Sequence, residues 1–395
     1  MKKDWTYKKL GEVAKTFRGL TYSKADEVVT SSKKVLRSNN IDLETHQLNF
    51  DEIKYLREDF VVPEDKKIKK DSIFICMSNG SMQHLGKVAY VDKDYDYAFG
   101  GFMGLIMPTP NVCSKYVYYS LLSPNFLAEI LKNGKGANIN NLRFTDIEQY
   151  SLPIPPLSDQ ELIVRELDAI HGILDKKQEQ LRELDHLAQA IFYDMFGDPI
   201  TNPKQWEVKK LGEVCDVRDG THDSPKYLPS SEYILITSKN IVNGEIDFSV
   251  SNYINREDFE AINRRSRVDV GDIIMPMIGT IGNPIIIKPT EKKFCIKNVA
   301  LIKFANAEEV INVYIRELLD SPSYIGFLKS INQGGTQKFI ALGTIRKLSI
   351  PLPPLSLQQS FAAKIEAIEA QKTAIRQSIR EVEALLAERM DAYFA

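Results

Sequence analysis

Trp5-Thr-Tyr-Lys-Lys-Leu-Gly-Glu-Val13 is written again as Trp206-Glu-Val-Lys-Lys-Leu-Gly-Glu-Val214, about 200 residues further along the chain. Other markers return in the same order. Leu152-Pro-Ile-Pro-Pro-Leu-Ser158 comes back as Ile350-Pro-Leu-Pro-Pro-Leu-Ser356, Ser38-Asn-Asn-Ile41 as Ser238-Lys-Asn-Ile241, and Ser123-Pro124 as Ser321-Pro322. The chain is therefore a duplication in which each half is a module followed by a tail. Two similar modules can sit about a pseudo-two-fold axis, which suits a partner that offers two related half-sites, as duplex DNA does.

The tails decide the rest of the architecture. Beyond Pro155-Pro156 and Pro353-Pro354, Ser158-Asp-Gln-Glu161 and Ser356-Leu-Gln-Gln359 fit a helix-starting capping box. Apolar residues then recur at steps of four and three: Ile163, Leu167, Ile170, Leu174, Leu181, Leu184, Ala188, Ile191 and Met195, with Lys177 as the break. The second tail keeps phase through Phe361, Ile365, Ile368, Ile375, Ile379, Val382, Leu386 and Tyr393, with Lys372 and Arg389 as polar interruptions. Matching seams predict an antiparallel, coiled-coil-like helix pair. At about 1.5 Å per residue each helix spans about 60 Å, long enough to act as a ruler between the modules.

Each module mixes strand and helix. Strand-like stretches at Leu10 to Phe17 and Leu211 to Val217 lead into Arg18-Gly19 and Arg218-Asp219-Gly220 turns. Asp71-Ser-Ile-Phe-Ile-Cys-Met-Ser-Asn-Gly80 parallels Asp272-Ile-Ile-Met-Pro-Met-Ile-Gly-Thr280. Each reads as a buried strand entering a hairpin turn. Helical stretches at Lys115 to Asn133 and Val310 to Asn332 end in polar, Gly-rich loops. The expected class is α+β: two tandem mixed modules, 1–156 and 199–354, alternating with helices at 157–198 and 355–395.

A chain of 395 residues with 43% hydrophobic content can fill two cores. A formal net charge of −2 argues against coating nucleic acid by bulk charge, although 51 Lys and Arg leave room for local basic faces. Four scattered cysteines, Cys76, Cys113, Cys215 and Cys295, suggest neither a zinc site nor a disulfide framework. No stretch reads as a signal peptide or a membrane span, so a cytoplasmic location is expected.

With these markers in both halves, the chain resembles the specificity subunit of a type I restriction-modification system. The likeness covers nearly the whole chain: the Lys-Lys-Leu-Gly-Glu-Val openings, the hairpins after Asp71 and Asp272, the polar loops, and the Pro-Pro-Leu motifs followed by Gln160 or Gln358. It departs at Asp159 and Leu357, where the family usually has Glu. The resemblance implies two target-recognition domains reading the halves of a split DNA sequence, with the helices setting the gap. Two methyltransferase subunits and endonuclease-translocase subunits would supply catalysis, and S-adenosylmethionine, ATP and Mg would bind those partners.

Base reading needs loop side chains that donate and accept, with Asn or Gln suited to adenine and Arg or Lys to guanine. The candidates in the first module are Arg18, Arg37, Asn39, Asn40, Ser78, Asn79, Lys135, Asn138 and Arg143. In the second they are Arg218, His222, Lys239, Asn240, Thr280, Gln333, Thr336, Gln337 and Lys338. Asn, Gly and Thr also gather in turns for backbone reasons alone.

No phosphate-binding loop is present, and Asn202-Pro203 and Asn283-Pro284 lack the Pro-aromatic sequel of an amino-methyltransferase. Gly100-Gly-Phe-Met-Gly104 reads as a strand turn rather than a nucleotide loop. Asp272 with Glu291-Lys292-Lys293 has nuclease residue types, but acids and lysines are abundant and the first module, with Asp71, has no matching Glu-x-Lys downstream. The expectation is a non-catalytic DNA reader without metal or cofactor. A duplicated protein-interaction adaptor and a DNA-modifying enzyme acting alone are the alternatives.

Overall fold

The computed structural model describes residues 5–133, 141–242, 244–278, 282–331 and 339–395. It divides into two compact units, Met1–Lys177 with Gln377–Ala395, and Gln178–Arg376. Both are of the α+β class.

In the first unit a four-stranded antiparallel sheet runs in the order Ala14–Arg18, Met103–Pro108, Ile73–Cys76 and Val88–Tyr90. Its strands bury Ile73, Ile75 and Ile106 on one face and Phe74, Cys76 and Leu105 on the other, as expected of a sheet covered on both sides. A second sheet orders Glu27–Val28, Lys54–Leu56, Lys33–Leu36 and Tyr97–Phe99, the last pair parallel. The opening strand Thr6–Lys9 pairs with Ser151–Ile154, which leads into the long helix. Ser123-Pro124 splits the helical stretch into Ser114–Leu122 and Pro124–Asn133, because proline has no N–H to continue the ladder.

The second unit repeats this plan. Its four-stranded sheet is Asp216–Asp219, Val299–Lys303, Ile273–Pro276 and Ile285–Ile286, and its smaller sheet is Asn252–Ile254, Tyr233–Ile236 and Lys293–Ile296. Glu207–Lys210 pairs with Ser349–Leu352, and the helices are Asn312–Asp320 and Pro322–Ser330.

The repeated opening is a structural lock. Leu10 to Val13 and Leu211 to Val214 form single helical turns rather than the start of a strand. Glu12 accepts the Lys9 N–H at 3.1 Å and Glu213 the Lys210 N–H at 2.7 Å, and this local cap overrides the apolar alternation. Leu10 and Leu211 are fully buried.

Two sequence correspondences shift by one residue. The equivalent of Gly271 (φ 89°) is Asp71 (φ 60°): each donates its N–H to the paired strand, at Ile287 O and Val91 O. Asp272 therefore matches Ser72, not Asp71, because the position needs left-handed backbone, which Gly and Asp tolerate best. Likewise Arg18 pairs with Gly104 and Asp219 with Ala300 at the same place in the sheet, so Arg18 corresponds to Asp219 rather than to Arg218.

Both long helices are forty residues, Leu157–Phe196 and Leu355–Phe394. Each begins one residue before the expected capping serine. Pro156 O accepts the Asp159 and Gln160 N–H groups and Pro354 O those of Leu357 and Gln358, so Ser158 and Ser356 lie inside the helix and no Ser capping box forms. In the first unit the start of one helix meets the end of the other: Ile163, Val164 and Leu167 pack with Met390, Tyr393 and Phe394, and Ile170 and Leu174 are also buried. In the second unit Phe192 and Phe196 pack on Phe361, with Ile365 and Ile368 in the same core. Pairing is antiparallel in each. The half-buried positions are Leu181, Leu184, Ile191, Ile375, Ile379, Val382 and Leu386. Phe192 and Phe196 take the place the heptad assigned to Ile191 and Met195. A straight helix drifts from a 3.5-residue repeat, and its last turns here face Tyr314 of the module as well as the partner helix. Lys372 is buried between them, with Nζ 2.7 Å from both Asp185 and Glu369.

Candidate nucleic-acid interface

In the first unit, loops far apart in sequence meet at one edge of the sheets. Gly19 lies so close to Gly100 that an added Cβ would sit 2.0 Å from Gly100 O, which fixes why glycine follows Arg18. Gly100 N–H bonds Leu36 O at 2.9 Å, which ties this turn to the Arg37–Asn40 loop. Asn79 Nδ2 donates to Ser38 Oγ at 2.9 Å across 41 residues. Ser78 bridges to Asn141, and Leu142 N–H bonds Met77 O at 2.7 Å, which brings Arg143 to the same edge.

The candidates here take different parts. Arg18 and Arg143 are exposed, and Arg37 is half-buried with its Nε unpartnered among the described residues. Asn39 is half-buried, donating to Glu52 O at 3.1 Å. Asn40 is fully buried: Oδ1 accepts the Arg37 N–H at 2.8 Å, and Nδ2 donates to Asn49 O and Glu52 O. It shapes the loop and has no group left for a base. Lys87, also buried, donates to Ile41 O at 2.7 Å, and burial lowers its pKa. Lys135 and Asn138 lie outside the described residues.

The second unit uses the same scaffold with other chemistry. Asn240 repeats Asn40, accepting from Thr237 N–H at 3.0 Å and donating to Asp247 O and Val250 O. Lys239 beside it is exposed. Gly220 meets Ile296 O as Gly19 meets Gly100. Where the first unit presents Arg18, the second buries Asp219, which holds His222 Nε2 at 2.8 Å and pairs with Arg265. His222 Nδ1 faces Asn298 Oδ1 at 2.9 Å. These contacts, Asn298 first and Asp219 second, raise the histidine pKa against partial desolvation. Arg218 is engaged by Asp216 and by Arg265 O. Thr280, Gln333, Thr336, Gln337 and Lys338 lie outside the described residues.

The nuclease-like residues do not assemble. Asp272 is buried and paired with Lys303 at 2.6 Å, while Lys293 pairs with Glu232. Among the described residues there is no group of three His, Cys, Asp or Glu that could hold a metal, and no helix long and apolar enough to cross a membrane.

The family model described as "Type I restriction modification DNA specificity domain" matches residues 2–185 and again 203–384. The chain belongs to this family. Its two copies of the specificity domain coincide with the sequence duplication, and a tandem pair fits the recognition of DNA sequence. Among similar proteins is the type I restriction enzyme EcoKI specificity subunit of Escherichia coli (strain K12), 22% identical over 400 aligned residues that cover 95% of this chain and 84% of the relative. Another is the putative MjaX specificity subunit of Methanocaldococcus jannaschii, 24% identical, covering 73% of this chain and 69% of the relative. A crystal structure of the type I S subunit from M. genitalium has the same fold, with a TM-score of 0.54 at 13% identity, covering 99% of this chain and 96% of that one. A chain from a structural study of complex assembly and conformational transition of the type I system matches equally, at 0.54 and 16% identity, with 98% and 96% covered.

The sequence passed over Phe102, exposed at the tip between Gly101 and Met103, and Asp219, the buried anchor of His222. Exposure of the first and burial of the second both follow from turns that meet in space, and no local spacing in the sequence sets Asp219 apart from Asp216 or Asp223.

Proposed function

We propose that this specificity-domain chain is the DNA-reading subunit of a type I restriction-modification complex, each module reading one half of a bipartite sequence. The observation that carries this is that the specificity domain occurs twice, each copy gathering its loops at one edge of the same sheet scaffold with different side chains. One presents Arg18, Arg37, Asn79 and Arg143; the other presents Lys239 and His222. Different loops on one scaffold are what two unlike half-sites require. In this reading 1–156 and 199–354 are the target-recognition domains, and 157–198 and 355–395 set the gap and dock two methyltransferase subunits. Methylation, translocation and cleavage, with S-adenosylmethionine, ATP and Mg, belong to partner subunits in the cytoplasm.

The test is coexpression with the neighbouring methyltransferase subunit in a methylation-free host, with modified adenines mapped by long-read sequencing. A split motif with a fixed gap is expected. Absence of any motif, with the methyltransferase shown active beside another specificity chain, would overturn the reading.

A further inference from the structure

Gly100-Gly-Phe-Met-Gly104 places an aromatic ring where folding has no use for one. Phe102 is 73% exposed, although the strands it joins, Tyr97–Phe99 and Met103–Pro108, are largely buried. The tip is rigid. Met103 N–H bonds Gly100 O at 2.8 Å and closes a tight turn. Phe102 O accepts the N–H groups of both Met77 and Ser78, at 2.9 and 3.1 Å, and Gly100 N–H is held by Leu36 O. The backbone under the ring is thus tied to the two loops that carry Arg37 and Asn79.

The second unit lacks this feature. Gly19 and Gly220 donate to Met103 O and Val299 O respectively, which aligns those residues. Asn298 alone, with φ 57°, spans what Gly101 and Phe102 span in the first unit. The extra residue is particular to the first module, as expected of a specificity element and not of a scaffold element.

We propose that Phe102 is the apolar reader of the first half-site, packing against the 5-methyl group of a thymine in the major groove. This rests on the DNA-reading function proposed above. An exposed phenyl ring carried on a backbone tied to hydrogen-bonding loops matches the one apolar feature in the major-groove code, the thymine methyl, which sits beside the edges that Asn and Arg read. An aromatic side chain on a braced turn also loses little entropy on binding, which favours it as an anchor over a long flexible one.

The experiment maps the methylated motif for the wild-type complex with its methyltransferase partner and for Phe102→Ala. It then measures binding to duplexes in which each thymine of the first half-site is replaced by deoxyuridine, which removes only the methyl. The expectation is that F102A relaxes one A·T position in that half and leaves the other half unchanged. One uracil replacement should weaken the wild-type complex about fourfold, the scale of one buried methyl group, and leave F102A unaffected. Uracil replacements without effect on the wild type overturn the proposal, even if F102A binds weakly. In that case a rise in 2-aminopurine fluorescence on binding would assign the ring to a wedge between base steps. A wild-type complex that yields no motif overturns the DNA-reading function itself, and this proposal with it.

Discussion

The side-chain oxygen of Gln358 accepts the backbone N–H of Ile311 at 3.1 Å, joining the first turn of the second long helix to the residue that opens the module's helix pair. Its Nε2 donates to Pro353 O and Glu309 O. Gln160 repeats the arrangement with Cys113 N–H at 2.9 Å and Pro155 O at 2.8 Å. Both glutamines are buried, so this shared element of the Pro-Pro-Leu motif is an internal lock and not a surface for partners. Gln358→Ala removes the partner of the part-buried Ile311 N–H and of two carbonyls, the buried Pro353 O and the more accessible Glu309 O, and a buried group left unpaired costs about 1–3 kcal/mol. A loss of about 2–4 kcal/mol is expected in the second unit's urea transition, and an unchanged midpoint would refute the lock.

Glycine substitutions should separate by what the new Cβ meets. At Gly220 it would lie 2.4 Å from Ile296 O and 2.9 Å from Lys297 N, both backbone atoms that cannot swing aside. Gly220→Ala is expected to cost at least about 2 kcal/mol and to erase the second half of the methylated motif before the first. Gly172, inside the first long helix, has nothing within 4 Å. Gly172→Ala should stabilise by about 0.5–1 kcal/mol, read as a rise in melting temperature.

The thiols should react in order of burial. Desolvation pushes Cys76 up to about 11 and Cys215 and Cys295 up to about 12, so none of them is a thiolate near neutral pH. Cys113 is only half-buried. Brief iodoacetamide treatment of the native protein, followed by peptide mass spectrometry, should label Cys113 first. Early labelling of Cys295 would mean that the smaller sheet of the second unit opens more readily than its packing implies.

What the sequence made legible was whatever repeats locally. The duplicated markers, the two long helices and the hairpins each show in a spacing of residues. The Leu10 turn was hidden because Glu12 acts on a backbone group, and the Asp71–Gly271 equivalence because φ decides it while the letters align Asp with Asp. Residue type misled at Asn40 and Asn240, which look like base readers but spend all their hydrogen bonds on their own loops. Phe102 was the converse, an apolar letter between strands whose exposure depends on three turns meeting in space.

The second module should bind a proton more tightly when folded, through His222. Both ring nitrogens face acceptor oxygens, Asn298 Oδ1 and Asp219 Oδ2, which favours the imidazolium form, while Arg265 on the same aspartate opposes it. Because the folded pKa is raised, the stabilisation is fully present below the unfolded value of about 6.5 and is lost as pH rises through the folded one. The melting-temperature difference between wild type and His222→Gln should therefore be largest below the unfolded value and shrink as pH rises above it through the folded one. DNA affinity should follow the same course, because the protonated ring adds one cation to that edge, and the salt dependence of binding should steepen at the lower pH. A wild-type minus variant difference that stays constant as pH rises from below the unfolded value would refute a proton-linked role for the histidine.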